Sequence, residues 1–303
     1  MDEVKTNVTP EKTEKVEKLK KRSYMGEILH RLSKNPVAMA SLIFLGILLV
    51  CVIFAGVISP YDYAAQDLTL RYQTPTAQHI MGCDDCGRDL FSRLLFGGRV
   101  SLLVAVIAVA IGIVFGMLFG AVAGFFGGLA DGILMRVMDV IMAIPGMLLA
   151  ICVSVALGSG IVNTAIAIAI GTIPLIARQL RSSTLLIRGQ EYIEAARAFG
   201  ESYLSIIFRH VIPNTLAPII VQTSLYIGGS IMAIAGLSFI GLGVQPPTPE
   251  WGNILNTGLD NIYNFADRWH MIVFPAIFIV LTMLAFNLLG DGLRDAMDPR
   301  MRK

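Results

Sequence analysis

Glu191-Tyr192-Ile193-Glu194-Ala195-Ala196-Arg197-Ala198-Phe199-Gly200 is a charged, helix-forming stretch between two apolar runs, 140–177 and 211–249, that contain no charged residue. Alanine is the best helix former, so Glu194-Ala195-Ala196 reads as helix and Gly200 as its interruption. Tyr203 to Val211 can start a second helix before Pro213 stops it. The expected product is a helix-turn-helix elbow with small residues at its bend and a Glu194 carboxylate open to a partner's donor. Two readings fit it: an ordinary connection between spans, or a docking surface for a soluble partner.

The surroundings decide the class. The chain has 303 residues, of which 55% are hydrophobic and 15% charged, and its mean hydropathy is +0.68. That much apolar surface exceeds what one soluble core of this length hides. A bilayer core about 30 Å thick takes roughly 20 helical residues. Residues 37–59 make one uncharged span, and residues 100–124 a second that turns at Gly127-Gly128. Residues 140–177 allow two crossings broken at Gly158-Ser159-Gly160, the third span starting near Gly132 and the fourth ending near Ala177.

Run 211–249 is long enough for one crossing or two, and basic residues settle the count, because they stay on the cytoplasmic side. Lys12, Lys15, Lys18, Lys20, Lys21 and Arg22 put the N-terminus inside. Four crossings later the loop with Arg178, Arg181, Arg188, Arg197 and Arg209 is inside too. A single crossing through 211–249 and a last span over 271–289 return Arg294, Arg300, Arg302 and Lys303 to the cytoplasm. The expectation is an all-α polytopic membrane protein with six transmembrane helices and both termini cytoplasmic. Residues 1–35 form a Lys/Glu-rich cytoplasmic arm without the apolar centre or cleavage site of an export signal, and Glu14 and Lys18 are spaced as a helical pair. Residues 36–98 hold the first span and an outward loop, 99–290 the core with the elbow at 181–214, and 291–303 a cytoplasmic tail.

Inside the second span Gly112, Gly116, Gly120 and Gly124 recur every four residues and line one helix face. Such a stripe lets another helix approach closely in lipid, either as static packing or as a sliding contact. Ionisable residues deep in the membrane would mark an ion-coupled carrier or a channel. Asp139 lies three residues after Arg136 and Asp291 three before Arg294, spacings at which each pair neutralises itself. His30, His79, His210 and His270 form no spaced cluster, and no nucleophile motif stands out, so catalysis is rejected. Asp84 and Asp85 read as helix caps ahead of a short amphipathic outward helix over 90–96. Cys51 and Cys152 read as buried apolar residues. Cys83 and Cys86 are a structural thiol pair or disulfide, an incidental pair, or half a metal site with His79 and Asp85. Two cysteines and one histidine do not complete a four-ligand zinc set.

Four ordered motifs then carry a family resemblance. Glu194-Ala195-Ala196, Gly200 and His210-Val211-Ile212-Pro213 resemble the EAA loop of ABC importer permeases, with His210 and Ile212 standing where that pattern has isoleucine and leucine. The His-Val-Ile-Pro-Asn ending is similar to the peptide-permease branch. Met81-Gly82-Cys83-Asp84-Asp85-Cys86-Gly87-Arg88-Asp89, Gln245-Pro246-Pro247-Thr248-Pro249-Glu250-Trp251-Gly252 and Asn287-Leu288-Leu289-Gly290-Asp291-Gly292-Leu293-Arg294-Asp295 resemble other signatures of that branch. The likeness runs from about Lys34 to the C-terminus.

The resemblance implies a type I ABC importer transmembrane domain, a second-type permease of the dipeptide, oligopeptide or nickel branch. Glu194, Ala195, Ala196, Gly200 and Pro213 would form the coupling contact with a separate ATPase. No Gly-x-x-x-x-Gly-Lys-Ser/Thr loop occurs, so ATP and Mg would sit on partner subunits and this chain would carry no cofactor. The implied partners are a homologous second permease subunit, two ATP-binding subunits, an extracellular or periplasmic substrate-binding protein and the lipid bilayer, with no nucleic acid. Asn163, Thr172, Gln222, Thr223, Ser224 and Asn287 are the candidates for lining the pathway, or equally for bonding neighbouring helices. Arg88 and Asp89 are candidates for facing the receptor protein. No histidine falls at mid-span, which favours peptides over nickel or a metal chelate.

Overall fold

The computed structural model describes Gly26 and residues 30–259 and 265–297. The lysines of the N-terminal arm, the Glu14–Lys18 pair, and Arg300, Arg302 and Lys303 of the tail lie outside those residues. Among the described residues the fold is helical, with one isolated bridge between Cys83 and Asp89.

Helix α1 (Pro36–Ile53) starts where Asn35 caps it, its side chain accepting from the amides of Val37 and Ala38 at 3.1 Å with Pro36 pre-set at the first position. Helix α2 (Leu90–Phe126) runs 37 residues, about 55 Å at 1.5 Å per residue. Then follow α3 (Gly128–Ala143), α4 (Gly146–Leu157) and α5 (Ile161–Ile187). The elbow is α6 (Glu191–Ala198) and the single turn α7 (Tyr203–Ile206), which passes through a π-helical turn at Ile207–Val211 into α8 (Ile212–Phe239). Helices α9 (Trp251–Leu259) and α10 (His270–Met297) complete the chain.

Five helices are long and apolar enough to cross a membrane, and the pair α3–α4, bent by 92° across Ile144 and Pro145, makes the sixth if it counts as one crossing. Residues 211–249 contain one crossing helix, as the charge argument requires. Two boundaries differ from the sequence reading. The segment 90–96 is no separate helix but the first turns of α2, because Asp89 caps the chain there and nothing breaks it afterwards. Helix α5 continues past Ala177 to Ile187, carrying Arg178 and Arg181 within it. Arg178 pairs with Asp139 and Arg181 with Asp131, both across from α5 to α3. Asp139 therefore does not pair with Arg136 as its spacing suggested, and no ion pair joins Asp291 to Arg294. Each guanidinium on α5 meets a carboxylate from a neighbouring helix, a partner that local spacing cannot show.

The seam between α2 and α5 is built on the glycine stripe. A Cβ on Gly116 would come within 2.7 Å of Ile176 Cβ, and one on Gly124 within 2.7 Å of Thr184 Cβ. Gly112 and Gly120 lie as closely against Thr172 and Ala177. At the end opposite the elbow, Trp251 is fully buried and fills the notch left by Gly97 and Gly98. Its indole donates to the Leu94 carbonyl at 2.8 Å. Buried Glu250 accepts from Ser101 Oγ at 2.8 Å and from the Asn253 amide at 3.0 Å, so the carboxylate joins α2 to the start of α9.

Arg99 closes α1: its Nε and Nη2 donate to the carbonyls of Val52 and Ile53 at 2.7 and 2.6 Å, satisfying the last turn of that helix. Gly116→Ala is expected to lower the stability of the purified complex by about 1–3 kcal/mol, since the stiff β-branched Ile176 cannot yield. Gly46→Ala on α1, where an added Cβ meets nothing within 4 Å, is expected to be neutral. Thermal unfolding in detergent checks both.

Candidate functional site: the elbow and the groove beside it

The elbow is anchored from below and open above. Ile193 is fully buried in a cluster with Phe125, Ile176, Leu180, Ile206, Ile207 and Val211. Arg197 lies over the Phe125 ring at 4.7 Å, and Arg188 Nη1 donates to the Gly124 carbonyl at 3.1 Å, so two cations tie the elbow to the last turn of α2. Glu191 and Glu194 occupy the first turn of α6 and Arg197 its last, which complements the helix dipole. Glu194, Ala195 and Gly200 are exposed, and Ala196 is partly buried.

The bend is a Schellman closure: the Gly200 amide donates to the Arg197 carbonyl at 3.0 Å and the Glu201 amide to Ala196 at 3.1 Å. Gly200 has φ +78 and open space around its missing Cβ, so conformation and not crowding demands glycine there. Ser202 then caps α7.

Glu201 braces the two arms. Its Oε1 accepts from Ser205 Oγ at 2.5 Å, and its Oε2 lies 3.0 Å from His210 Nε2 on the π turn. The Ser205 hydroxyl first, and His210 next, hold this carboxyl below its ordinary value. His210, which departs from the expected pattern, is thus a strut. Pro213 does not stop the helix as expected, and α8 runs on through it. The π turn shifts the hydrogen-bond ladder ahead of it, and the Asn214 side chain donates to the His210 carbonyl at 2.7 Å. The face left open is apolar: Phe199 is 91% exposed, and Tyr203, Leu204 and Phe208 are exposed beside it. Neither aromatic exposure nor the Glu201 brace was read from the sequence, although the Glu-x-x-x-Ser spacing was there to be seen.

The pathway candidates lie at separate places among the described residues. Thr172 alone lines a cavity of about 320 Å³ between α4, α5 and α8, together with Met147, Tyr226 and Ser230. The Ser230 hydroxyl is buried without a partner. Asn163 donates to the Leu157 carbonyl at 2.8 Å and closes α4. Thr223 bonds back to Ile219. Ser224 and Asn287 sit in the α8–α10 seam, where Gly290 and Gly228 receive them, and Gln222 is partly buried outside the cavity. Beside the elbow a second groove of about 490 Å³ is lined by Asp131, Met135, Arg136, Asp139, Arg178 and Arg181.

At the opposite end Arg88 is 8% and Asp89 3% exposed, so neither is presented to a receptor. Arg88 Nε donates to Asp84 Oδ2 at 2.7 Å; Asp89 caps α2 through Ser92 and holds His79 Nδ1 at 2.9 Å. Asp84 folds the loop and Asp89 does the capping. His79, committed to Asp89, does not join the cysteines, whereas Asp85 and Cys86 lie with Asp84 so that their ligand atoms fall within 4.8 Å of one another. Both thiols are free; Cys83 is buried and Cys86 partly so.

Burial first, and Asp89 next, push the Cys83 thiol up to about 11.

The relatives agree with this architecture. The family described as binding-protein-dependent transport system inner membrane component matches residues 112–303, and the N-terminal TM domain of oligopeptide transport permease C matches residues 23–75. This chain belongs to the binding-protein-dependent transport system inner membrane component family. It is a multi-pass inner-membrane permease subunit of an ABC importer. The glutathione transport system permease protein GsiD of Shigella flexneri serotype 5b (strain 8401) is 48% identical over 277 residues, covering 91% of this chain and 90% of that one. GsiD of Escherichia coli O157:H7 is 47% identical over the same span. The inward-facing MetNI methionine ABC transporter shares the fold with a TM-score of 0.52 at 18% identity, covering 69% of this permease and 98% of that chain.

Two outcomes follow for the permease. At pH 8 a maleimide is expected to label Cys86 and spare Cys83, read by mass spectrometry. Because the folded Cys83 value is raised from 9.0, its contribution to stability is intact below pH 9 and lost as pH climbs toward 11. His210→Ala is expected to loosen the elbow, raising hydrogen exchange at 199–210 while α2 and α5 keep their protection.

Proposed function

We propose that this permease forms half of the translocation pathway for small peptides of the glutathione type, with its elbow seated on a separate ATP-hydrolysing subunit. The observation that carries the reading is the elbow itself: anchored through Ile193, closed by Gly200, braced by Glu201, yet presenting Glu194, Ala195 and an apolar rim of Phe199, Leu204 and Phe208 to no partner among the described residues. Exposed aromatic clusters of this kind are interaction surfaces. The substrate class is supported by the 48% identical glutathione permease.

In this reading the elbow end and both termini are cytoplasmic, a homologous permease completes the pathway, and a substrate-binding protein delivers cargo from outside. Two ATPase subunits hold ATP and Mg. Closing them would push α6, and the ties through Arg188 and Arg197 would pass that displacement to α2 and through the glycine seam to α5. Each conformation needs its own stabilising ligand, ATP at one end and the loaded receptor at the other.

A nickel or metal-chelate route has less support. His79 is bound to Asp89, His210 to Glu201 and His270 to the Cys83 carbonyl, so three of the four imidazoles are already engaged.

The test is reconstitution with candidate partner permease, ATPase and binding protein. A glutathione-loaded binding protein is expected to stimulate ATP hydrolysis, and a cysteine at Phe199 to cross-link to the ATPase. Gly200→Val, forced into the left-handed region at a cost of about 1–2 kcal/mol, is expected to lower uptake per ATP. Stimulation by a nickel-loaded receptor alone would overturn the substrate, and uptake by this chain without ATPase would overturn the coupling.

A further inference from the structure

We propose that the groove between α3 and α5 is a transit site for the unbalanced carboxylate of an anionic peptide, the one with no ammonium of the same peptide to offset it, leaving at the elbow end, an assignment that rests on the peptide-import reading above. The groove measures about 490 Å³, within the range of roughly 300–1,000 Å³ that small-molecule sites occupy. Its charges do not cancel. Arg181 grips Asp131 with two hydrogen bonds, at 2.5 and 2.6 Å, and Arg178 pairs with Asp139. Arg136, which lines the same groove, has no ion-pair partner among the described residues. Three guanidiniums against two carboxylates leave one positive charge.

Helix α3 sorts its residues accordingly. Asp131, Met135, Arg136 and Asp139 share the groove face, whereas Leu129, Ile133, Val137 and Val140 form an exposed apolar stripe on the other. The Arg178 and Asp139 side chains are 47% and 46% exposed although they lie more than two turns into the crossing helices. Half-exposed charges facing lipid chains are unfavourable, so this face meets water or cargo. A guanidinium fork matches a carboxylate, and one turn away Asp139 can receive an ammonium while Arg178 turns to the ligand. The paired charges keep such a site weak, as a release route requires. The stripe side of α3 stays apolar, so the charge is directed into the groove and away from the bilayer.

The experiment uses the full transporter in liposomes, with a binding protein first shown to load both glutathione, which carries one net negative charge, and uncharged-overall tri-alanine. Arg136→Gln is expected to reduce glutathione uptake per ATP roughly five- to tenfold, the loss of one charge-assisted contact, and tri-alanine uptake less than about twofold. Met135→Glu, which cancels the charge from the neighbouring position, is expected to reproduce the selectivity and guards against a folding defect in the first variant. Equal losses for both peptides would overturn the site. So would a loss confined to liposomes containing phosphatidylglycerol, which would make the groove a lipid headgroup site. Wild-type protein that imports neither peptide would instead remove the peptide reading, and this assignment with it.

Discussion

Everything mechanical in this permease depends on the close approach of α2 and α5. In lipid two helices gain nothing from hiding apolar side chains, because the solvent is equally apolar, so association rests on how near the backbones come. Four glycines on one face of α2 remove the obstacle, and Thr172, Ile176, Ala177, Leu180 and Thr184 of α5 fill the space. The seam is filled along its length, bare backbone at the four glycines alternating with Ile113, Met117, Ala121 and Phe125 packed on Ile176 and Leu180. The elbow hangs from the shared end of these two helices. Its position is therefore tied to the seam.

The elbow is stiffened by polar bonds because it has little core of its own. A helix of eight residues is marginal in water. Burying Ile193, closing the bend at Gly200 and bridging Glu201 to Ser205 and His210 supply what length does not. The arms are joined through side chains, and the π turn carries them into α8 without a break at Pro213. The elbow is tied two ways, through Arg188 just before α6 and Arg197 within it to α2, and through Glu201 and His210 to the turn that leads into α8.

Reading the sequence worked where the physics was local or one-dimensional. Hydropathy and the placement of arginines gave one crossing for 211–249, and the four-residue glycine period named the packed face of α2. It failed wherever the answer lay in a partner distant along the chain. Arg178 is 39 residues from Asp139 and Arg181 is 50 from Asp131, so spacing offered Arg136 as the nearer choice. Arg88 and Asp89 read as surface residues because charge correlates with exposure, and the correlation breaks when Asp84, Ser92 and His79 satisfy them inside. Pro213 read as a stop because an α ladder was assumed. Among the pathway candidates Asn163, Thr172 and Thr223 each donate to a nearby helix carbonyl and Ser224 and Asn287 sit in a seam, because hydroxyls and amides in lipid find such partners close to hand, and Thr172 also lines a cavity.

The charges that remain have a common logic. At the end opposite the elbow the polar groups are closed within their own neighbourhood: buried Arg88 and Arg93 on Asp84, half-buried Arg99 on the carbonyls of α1, and the Trp251 indole and Glu250 carboxylate on α2. That end is a finished structure, with Cys83 protonated and sealed beneath it. At the elbow end the charges stay exposed or half-exposed, from Glu194 on α6 to Arg178 and Asp139 in the groove. A protein that only packed helices would have no reason to differ between its two ends, because desolvation favours closure equally at both. The asymmetry follows if one end holds the fold while the other must exchange its partners during each cycle, and the open charges are those whose partners come and go.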